Sequence, residues 1–300
     1  MKNNIAVIGL GSMGYGIATS CLRSGHLVWG VDTNIDQVKA FCSQGGQAST
    51  LSSVIDKIDV VVVVVLNSVQ TEEVLFGQEG LVENLKPGTV VISCATVAPT
   101  FAIDMEKRCK EFEVFYLDAP ISGGALKAKN GQLSIMASGV KEAFQHARPT
   151  LDSISETVFE LGDEAGTGSA MKSVNQLLAG VHIAVMAEAL TFGISQGISP
   201  DKFVEVISKC AGTSWMLENR APHIVNGDYK PHSSINIWPK DLGIVLDVAL
   251  ESKFNAPIAT AALEQFRTAV DMGLGFEDDA AVAKVYAKSA NLLLPKKNDV

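Results

Sequence analysis

The chain has 300 residues, 47% of them hydrophobic and 19% charged, enough to bury a sizeable core and to divide into two domains. Its net charge of −9 makes a nucleic-acid backbone a poor partner, and any anionic ligand must be captured by local groups against that charge. The five cysteines, Cys21, Cys42, Cys94, Cys109 and Cys210, show no metal-ligand spacing, so the sequence predicts reduced thiols, a cytoplasmic protein and no metal site.

The N-terminus enters a strand pattern at Ile5–Ile8, which leaves no room for a cleavable signal. A helix is predicted over Met13–Ser24, then a strand over Leu27–Val31 ending at Asp32, then a helix over Ile35–Gln44. Val60–Leu66 is a continuous apolar run, too short to span a bilayer and typical of a central parallel strand buried on both faces. Strands at Val90–Ser93 and Phe115–Asp118 alternate with helical stretches at Thr71–Phe76 and Pro99–Lys110, and Lys86-Pro87-Gly88-Thr89 marks a turn. Leu133–Ala137 and Thr157–Leu161 are expected to extend the same sheet. Such alternation implies right-handed βαβ crossovers in an α/β domain.

The pattern changes near Asp163–Gly166, where the domain boundary is placed: residues 1–164, then residues 165–300. Lys172–Gln196 is apolar nearly all round and predicts a long buried helix. Beyond it every apolar segment has helical period: Ser199-Pro200 supplies an N-cap and a first-turn proline, Pro239 and Pro257 can play the same N1 role, and Asp278 can cap the last helix. The tail Lys296–Val300 is expected to fray.

Three motifs carry chemistry. Gly9-Leu10-Gly11-Ser12-Met13-Gly14 follows a strand and opens a helix, the arrangement that lets a dinucleotide pyrophosphate meet backbone N–H groups at a helix N-terminus. An ordinary glycine turn is the plain alternative, weakened by Asp32 at the end of the next strand. That carboxylate can accept from ribose hydroxyls and would repel a 2′-phosphate; no Arg or Lys follows it, so NAD is favoured over NADP, although Asp32 could instead cap the next helix. Asp118-Ala119-Pro120-Ile121-Ser122-Gly123-Gly124 lies just past a strand, where Ser122, Gly123 and Gly124 can form a carboxylate nest or a plain turn. Lys172, Asn175 and Gln176 stand at i, i+3 and i+4 and share a helix face in apolar surroundings. Desolvation would bring such a lysine toward the range of a useful base, whereas a snorkelling lysine needs no function. His182, two turns further, reads as a packing residue.

These motifs, in this order over essentially the whole chain, resemble the β-hydroxyacid dehydrogenase family. The resemblance implies a Rossmann domain followed by an all-helical domain, and reversible hydride transfer between a small hydroxy acid and NAD. It implies Lys172 as the catalytic acid/base, Ser122, Gly123 and Gly124 on the substrate carboxylate, and Asn175, with Gln176 beside it, on substrate hydroxyls. Thr96 and Lys240 would meet the nicotinamide half of the cofactor, and Leu66 at the end of the third strand is taken with them. Segments 177–184, 214–220 and 227–233 resemble a branch that oxidises the four-carbon acid L-threonate to 2-dehydro-L-erythronate, although Asn175 departs from the His some members of that branch carry. 3-Hydroxyisobutyrate or the tartronate semialdehyde couple are the rival substrates, and Trp215, Asn219 and Trp238 are the residues expected to line a deciding pocket. An imine reductase would share the architecture but would not require Lys172, and a non-catalytic NAD(H)-binding protein would leave Lys172 and Asn175 unexplained. The expected partners are a small anionic hydroxy acid and further copies of the chain, as a homodimer or homotetramer, with no membrane.

Overall fold

The computed structural model describes Lys2–Lys297, so residues 298–300 of the tail expected to fray lie outside the described residues. The chain forms two compact units, Met1–Lys172 and Ser173–Val300.

The first unit is built on five parallel strands, β1 (Asn4–Ile8), β2 (Leu27–Val31), β3 (Val60–Val63), β4 (Val90–Ser93) and β5 (Phe115–Asp118), in the order β2-β1-β3-β4-β5. Side chains alternate between the two faces of this sheet. Ile5, Val7, Val62 and Ile92 pack on one face with Ile17, Phe144 and Leu151. Ala6, Ile8, Val61 and Val63 pack on the other with Leu75, Ala102 and Met105. Both faces of β3 are therefore buried, and this is why its sequence is an unbroken valine run. That strand ends at Val63 rather than Leu66: Val64 N–H still donates to Ile8 O, but Leu66 is 66% exposed beyond the sheet.

Helices α1 (Gly14–Arg23), α2 (Ile35–Ser43), α3 (Ser68–Phe76) and α4 (Pro99–Lys110) make the crossovers. Asn34 caps α2, its side chain accepting from Asp36 N–H, and Asn67 caps α3 through Gln70 N–H. Pro99 occupies the first turn of α4, where its missing N–H costs nothing.

One expectation is corrected after Asp118. The later strands do not extend the main sheet; β6 (Ile121–Ser122), β7 (Leu133–Ala137) and β8 (Ser155–Glu160) form a second, three-stranded sheet. A single bridge between Asp118 and Ser138 links the two, because Pro120 has no N–H with which to continue a ladder. Within this region the sequence pattern also hides α5 (Gly124–Asn130) and α6 (Lys141–Ile154), the latter with Pro149 inside it.

Helix α7 (Thr167–Ser195) runs from the end of the first unit into the second. Length and composition alone would let it cross a membrane, a property shared with core helices of globular proteins. The expectation that it is buried all round fails. Met171, Leu178, Val185 and Phe192, spaced by seven residues, form an exposed stripe at 44–65% accessibility.

The second unit continues with α8 (Pro200–Ile207), α9 (Trp215–Val225), α10 (Ile237–Glu251), α11 (Pro257–Asp271) and α12 (Ala283–Ser289). Ser199 caps α8 by accepting from Lys202 N–H, and Pro257 opens α11 as expected. Pro239 instead sits at the third position of α10, still inside the first turn, where no intrahelical donor is lost. Asp278 caps a short 3₁₀ turn, Asp279–Val282, that leads into α12. The core gathers Ile183, Met186, Leu190, Leu217, Trp238, Leu242 and Phe266. Gly180 lets α7 and α10 approach closely, since a Cβ there would lie 2.9 Å from the Trp238 ring.

Candidate functional site

The first unit brings the sequence motifs to one edge of its parallel sheet, the edge where strands end and open α/β sheets bind ligands. Gly9–Gly14 follows β1, Asp32 follows β2, Leu66 follows β3, Thr96 follows β4, and Ser122-Gly123-Gly124 follows β5.

The three motif glycines have different reasons to be glycine. Gly9 has φ +94°, and a Cβ on it would lie 2.3 Å from Val64 O. A Cβ on Gly14 would fall 1.8 Å from Gly9 O, so this position keeps the strand-to-helix turn tight. Gly11 lies outside the left-handed region, and a Cβ there would meet nothing within 4 Å. Nothing in the chain forces Gly11 to be glycine; open space above a backbone at a helix N-terminus fits an approaching pyrophosphate. A cleft of about 420 Å³ opens there, lined by Leu10, Gly11, Ser12, Tyr15, Asp32 and Gln37 among others. Met13, half-buried, packs against the core below.

Asp32 does not cap α2, which is Asn34's task. Its Oδ2 accepts from Leu10 N–H at 2.6 Å and its Oδ1 from Asn34 N–H at 2.7 Å. The carboxylate thus ties the glycine loop to the end of β2, and each oxygen keeps acceptor capacity toward the cleft. Thr96 is half-buried in the loop before α4, and Leu66 N–H donates to Gln70 Oε1 at 2.9 Å.

Asp118 has a function the motif did not reveal. It is 1% exposed, and its Oδ2 accepts from Gly166 N–H at 2.9 Å and Ser169 N–H at 2.7 Å. Its Oδ1 accepts from the Ser169 hydroxyl at 2.6 Å. This is an N-cap delivered from 51 residues away in sequence, at the start of α7. Burial pushes the Asp118 carboxyl above its ordinary range, against the pull of its hydrogen bonds from Ser169, Gly166 and Ser138. Gly168 must be small here, because a Cβ would lie 2.5 Å from Asp118 O.

The helix so anchored carries Lys172, which is 8% exposed and donates from Nζ to Ile121 O at 2.8 Å. That carbonyl immediately precedes Ser122, so the lysine is held against the loop of Ser122, Gly123 and Gly124. Gly123 and Gly124 have φ of +133° and +76°, conformations that favour glycine, and a Cβ on Gly124 would meet nothing within 4 Å. A buried ammonium beside an open glycine turn can hold an anion and exchange a proton.

In the second unit, Asn175 and Gln176 belong to a polar chain. Asn175 Nδ2 donates to Gln176 Oε1 at 2.9 Å, and Gln176 Nε2 donates to Asp241 Oδ2 at 2.5 Å. Lys240 Nζ lies 2.7 Å from Asp241 Oδ1, an ion pair the sequence reading did not foresee. His182 is half-buried, and Trp215 is 60% exposed. Trp238 is no pocket wall: it is 3% exposed, stacks on Phe266 and donates from Nε1 to Asp279 Oδ2. Asn219, on the exposed side of α9, accepts from Arg220.

Sequence reasoning also missed the buried pair Asp278 and Asp279. Arg220 Nε reaches Asp279 Oδ1 at 2.6 Å, and His223 Nδ1 lies 2.8 Å from Asp278 Oδ1. Two adjacent acids before an alanine-rich run are the one signal that could have pointed to them. Among the described residues, no group of three or more His, Cys, Asp or Glu side chains is placed to hold a metal.

Residues 4–162 match the family model described as the NAD binding domain of 6-phosphogluconate dehydrogenase. Residues 166–286 match the NAD-binding domain of NADP-dependent 3-hydroxyisobutyrate dehydrogenase. The L-threonate dehydrogenase of Cupriavidus necator is 46% identical over 287 residues, covering 95% of this chain and 97% of that protein. That of Escherichia coli is 42% identical, covering 95% of each. A crystal structure of 3-hydroxyisobutyrate dehydrogenase from Salmonella typhimurium superposes with a TM-score of 0.88 at 40% identity, covering 94% of this chain and 99% of that one. The fold and its sheet-edge cleft are those of an NAD(P)-dependent oxidoreductase acting on hydroxy acids. The chain belongs to the 3-hydroxyisobutyrate dehydrogenase-like family of β-hydroxyacid dehydrogenases.

Proposed function

We propose that this enzyme oxidises L-threonate to 2-dehydro-L-erythronate with NAD, using Lys172 as general base. The observation that carries the catalytic reading is Lys172 itself, buried, with its Nζ on the carbonyl that leads into Ser122-Gly123-Gly124. L-Threonate is supported by the names of the two relatives at 46% and 42% identity. A second reading, 3-hydroxyisobutyrate, is favoured by the name of the Salmonella typhimurium structure.

In this account Ser122, Gly123 and Gly124 hold the substrate carboxylate, and Asn175, braced by Gln176, orients a hydroxyl. Bound NAD supplies the hydride acceptor. Lys172, as the neutral amine, takes the hydroxyl proton as the carbinol carbon gives up its hydride and becomes a carbonyl, so that positive charge does not build on the oxygen that stays bound to it. Gly9, Leu10, Gly11, Ser12, Met13 and Gly14 cradle the pyrophosphate, Asp32 accepts from the adenine ribose, and Leu66, Thr96 and Lys240 serve the nicotinamide half. Since Asp32 already spends one lone pair per oxygen on backbone N–H groups, it is held where a 2′-phosphate would be repelled. Residues 1–164 are assigned to the cofactor and residues 165–300 to substrate and self-association. The exposed seven-residue stripe on α7 supports a homodimer or homotetramer. Free thiols throughout and a net charge of −9 suit a cytoplasmic enzyme that binds neither membrane nor nucleic acid.

The test is NADH formation with L-threonate, its methyl ester, the matching polyol and 3-hydroxyisobutyrate, each with NAD and NADP. L-Threonate with NAD should give the highest kcat/KM. Robust turnover of the polyol would sink the carboxylate site, and equal efficiency with NADP would sink the reading of Asp32. Preference for 3-hydroxyisobutyrate would keep the chemistry and change the substrate.

A further inference from the structure

The chain of side chains from Lys240 to Asn175 has a direction. A carboxylate only accepts hydrogen bonds, so Gln176 must turn its amide NH₂ to Asp241 Oδ2, where Nε2 is found. The Gln176 carbonyl is thereby turned to Asn175 and accepts from its Nδ2 at 2.9 Å. Asn175 in turn spends one N–H of its NH₂ on Gln176, which fixes the orientation of the amide and so the side to which its Oδ1 is offered as an acceptor. The second oxygen of Asp241, a residue only 3% exposed, lies 2.7 Å from Lys240 Nζ, so the buried carboxylate's charge is matched by a partly exposed ammonium. An uncharged residue at position 241 would not impose this polarity, because an amide can donate or accept equally well and either Gln176 orientation would then be satisfied.

From this geometry we infer that Asp241 is a positioning residue that sets the substrate specificity of the site. It acts through Gln176 to hold Asn175 with its Oδ1 as a fixed hydrogen-bond acceptor, which selects acids carrying a further hydroxyl over those carrying hydrogen or a methyl there. The inference rests on the reading above that Asn175 meets a substrate hydroxyl. It goes further in naming what fixes the amide and which ligand chemistry follows.

The experiment compares kcat/KM for L-threonate with that for its 3-deoxy and 4-deoxy analogues at saturating NAD. The proteins are the full-length wild type, Asn175→Ala, Asp241→Asn, Gln176→Met and the Asn175→Ala/Asp241→Asn double variant. Wild type should prefer L-threonate over at least one deoxy analogue. Asp241→Asn and Gln176→Met should each reduce that preference about three- to tenfold, the worth of one ordinary hydrogen bond, and Asn175→Ala should do the same. In the double variant Asp241→Asn should add nothing further, since its effect runs through Asn175. A merely structural role would lower turnover of all the acids alike and leave the ratio unmoved. Gln176→Met keeps side-chain volume and leaves Asp241 paired with Lys240, so it decides the matter if Asp241→Asn folds poorly. The inference is overturned if Asn175→Ala loses the preference while Asp241→Asn and Gln176→Met keep it, or if Asp241→Asn still acts without Asn175. If Asn175→Ala itself keeps the wild-type preference, the underlying reading of Asn175 is what has failed.

Discussion

Replacing Asp118 with Ala tests how the first unit holds the helix that carries Lys172. The carboxylate accepts from Gly166 N–H, Ser169 N–H and the Ser169 hydroxyl, and all three donors are buried. Alanine leaves each without a partner, at about 1–3 kcal/mol per group, and removes a helix N-cap usually worth ~1 kcal/mol. Against this stands relief of the cost of burying a carboxylate, which the raised pKa of Asp118 reports. The net loss is about 3 kcal/mol, or a fall in Tm of roughly 5 °C for a 300-residue chain. Asp118→Asn keeps one acceptor oxygen, so it should cost about 1 kcal/mol. Lys172 lies on the second turn of this helix, and a displacement of about 1 Å can cost ~10²-fold in rate. Asp118→Ala should therefore lower kcat at least tenfold at temperatures where the protein remains folded. The assays are thermal unfolding by circular dichroism and initial rates of NADH formation. An alanine variant with wild-type Tm and kcat would refute the anchoring argument.

Three further outcomes follow from the same geometry. Gly11→Ala should fold with near-normal Tm yet weaken NADH binding, whereas Gly14→Ala should be destabilised because its Cβ falls on Gly9 O; tryptophan-to-NADH energy transfer and thermal unfolding separate the two. Burial pushes the thiols of Cys21, Cys94 and Cys109 up to about 12, so brief iodoacetamide treatment of native protein at neutral pH should label the exposed Cys210 and spare these three, as peptide mass spectrometry would read. Asp278 is held below the ordinary 3.8: burial opposes its ionisation, but His223, His232 N–H and Ala280 N–H together prevail. Its contribution to stability is therefore present above about 3.8 and lost as pH falls through the lower folded value, so the Tm gap between wild type and Asp278→Asn should close on acidification. Asp118 has the opposite sign, its folded value being raised: its contribution is fullest below 3.8 and is lost as pH rises through that raised value.

What the sequence disclosed was local. Strands at Val90–Ser93 and Phe115–Asp118 and the helix Pro99–Lys110 have the predicted bounds, because short apolar runs, a glycine turn and a first-turn proline define them without tertiary help. The second sheet was hidden because hydrophobic pattern gives a strand's existence and not its partner, and only the break at Pro120 separates it from β5. Helix α6 was hidden by Pro149, which the pattern reads as an interruption. The glycine loop and Asp32 were legible as a motif, but the reason Gly11 differs from Gly9 and Gly14 needed coordinates. Asp118 was read as part of an anion loop; its partners lie 48 and 51 residues away, beyond any local signal. Trp238 was read as a pocket wall, whereas it is buried and donates to Asp279; the ion pair of Lys240 with Asp241 had no local signal either.

The most direct test of the account is Lys172→Ala. Abstraction of the hydroxyl proton by a positioned base is worth on the order of 10²–10⁴ in rate, and the variant should lose at least a hundredfold in kcat for L-threonate oxidation. NADH affinity should stay near wild type, because the glycine loop and Asp32 are untouched. Near-normal kcat in Lys172→Ala would contradict the account, and a comparable collapse in His182→Ala instead would move the base to His182.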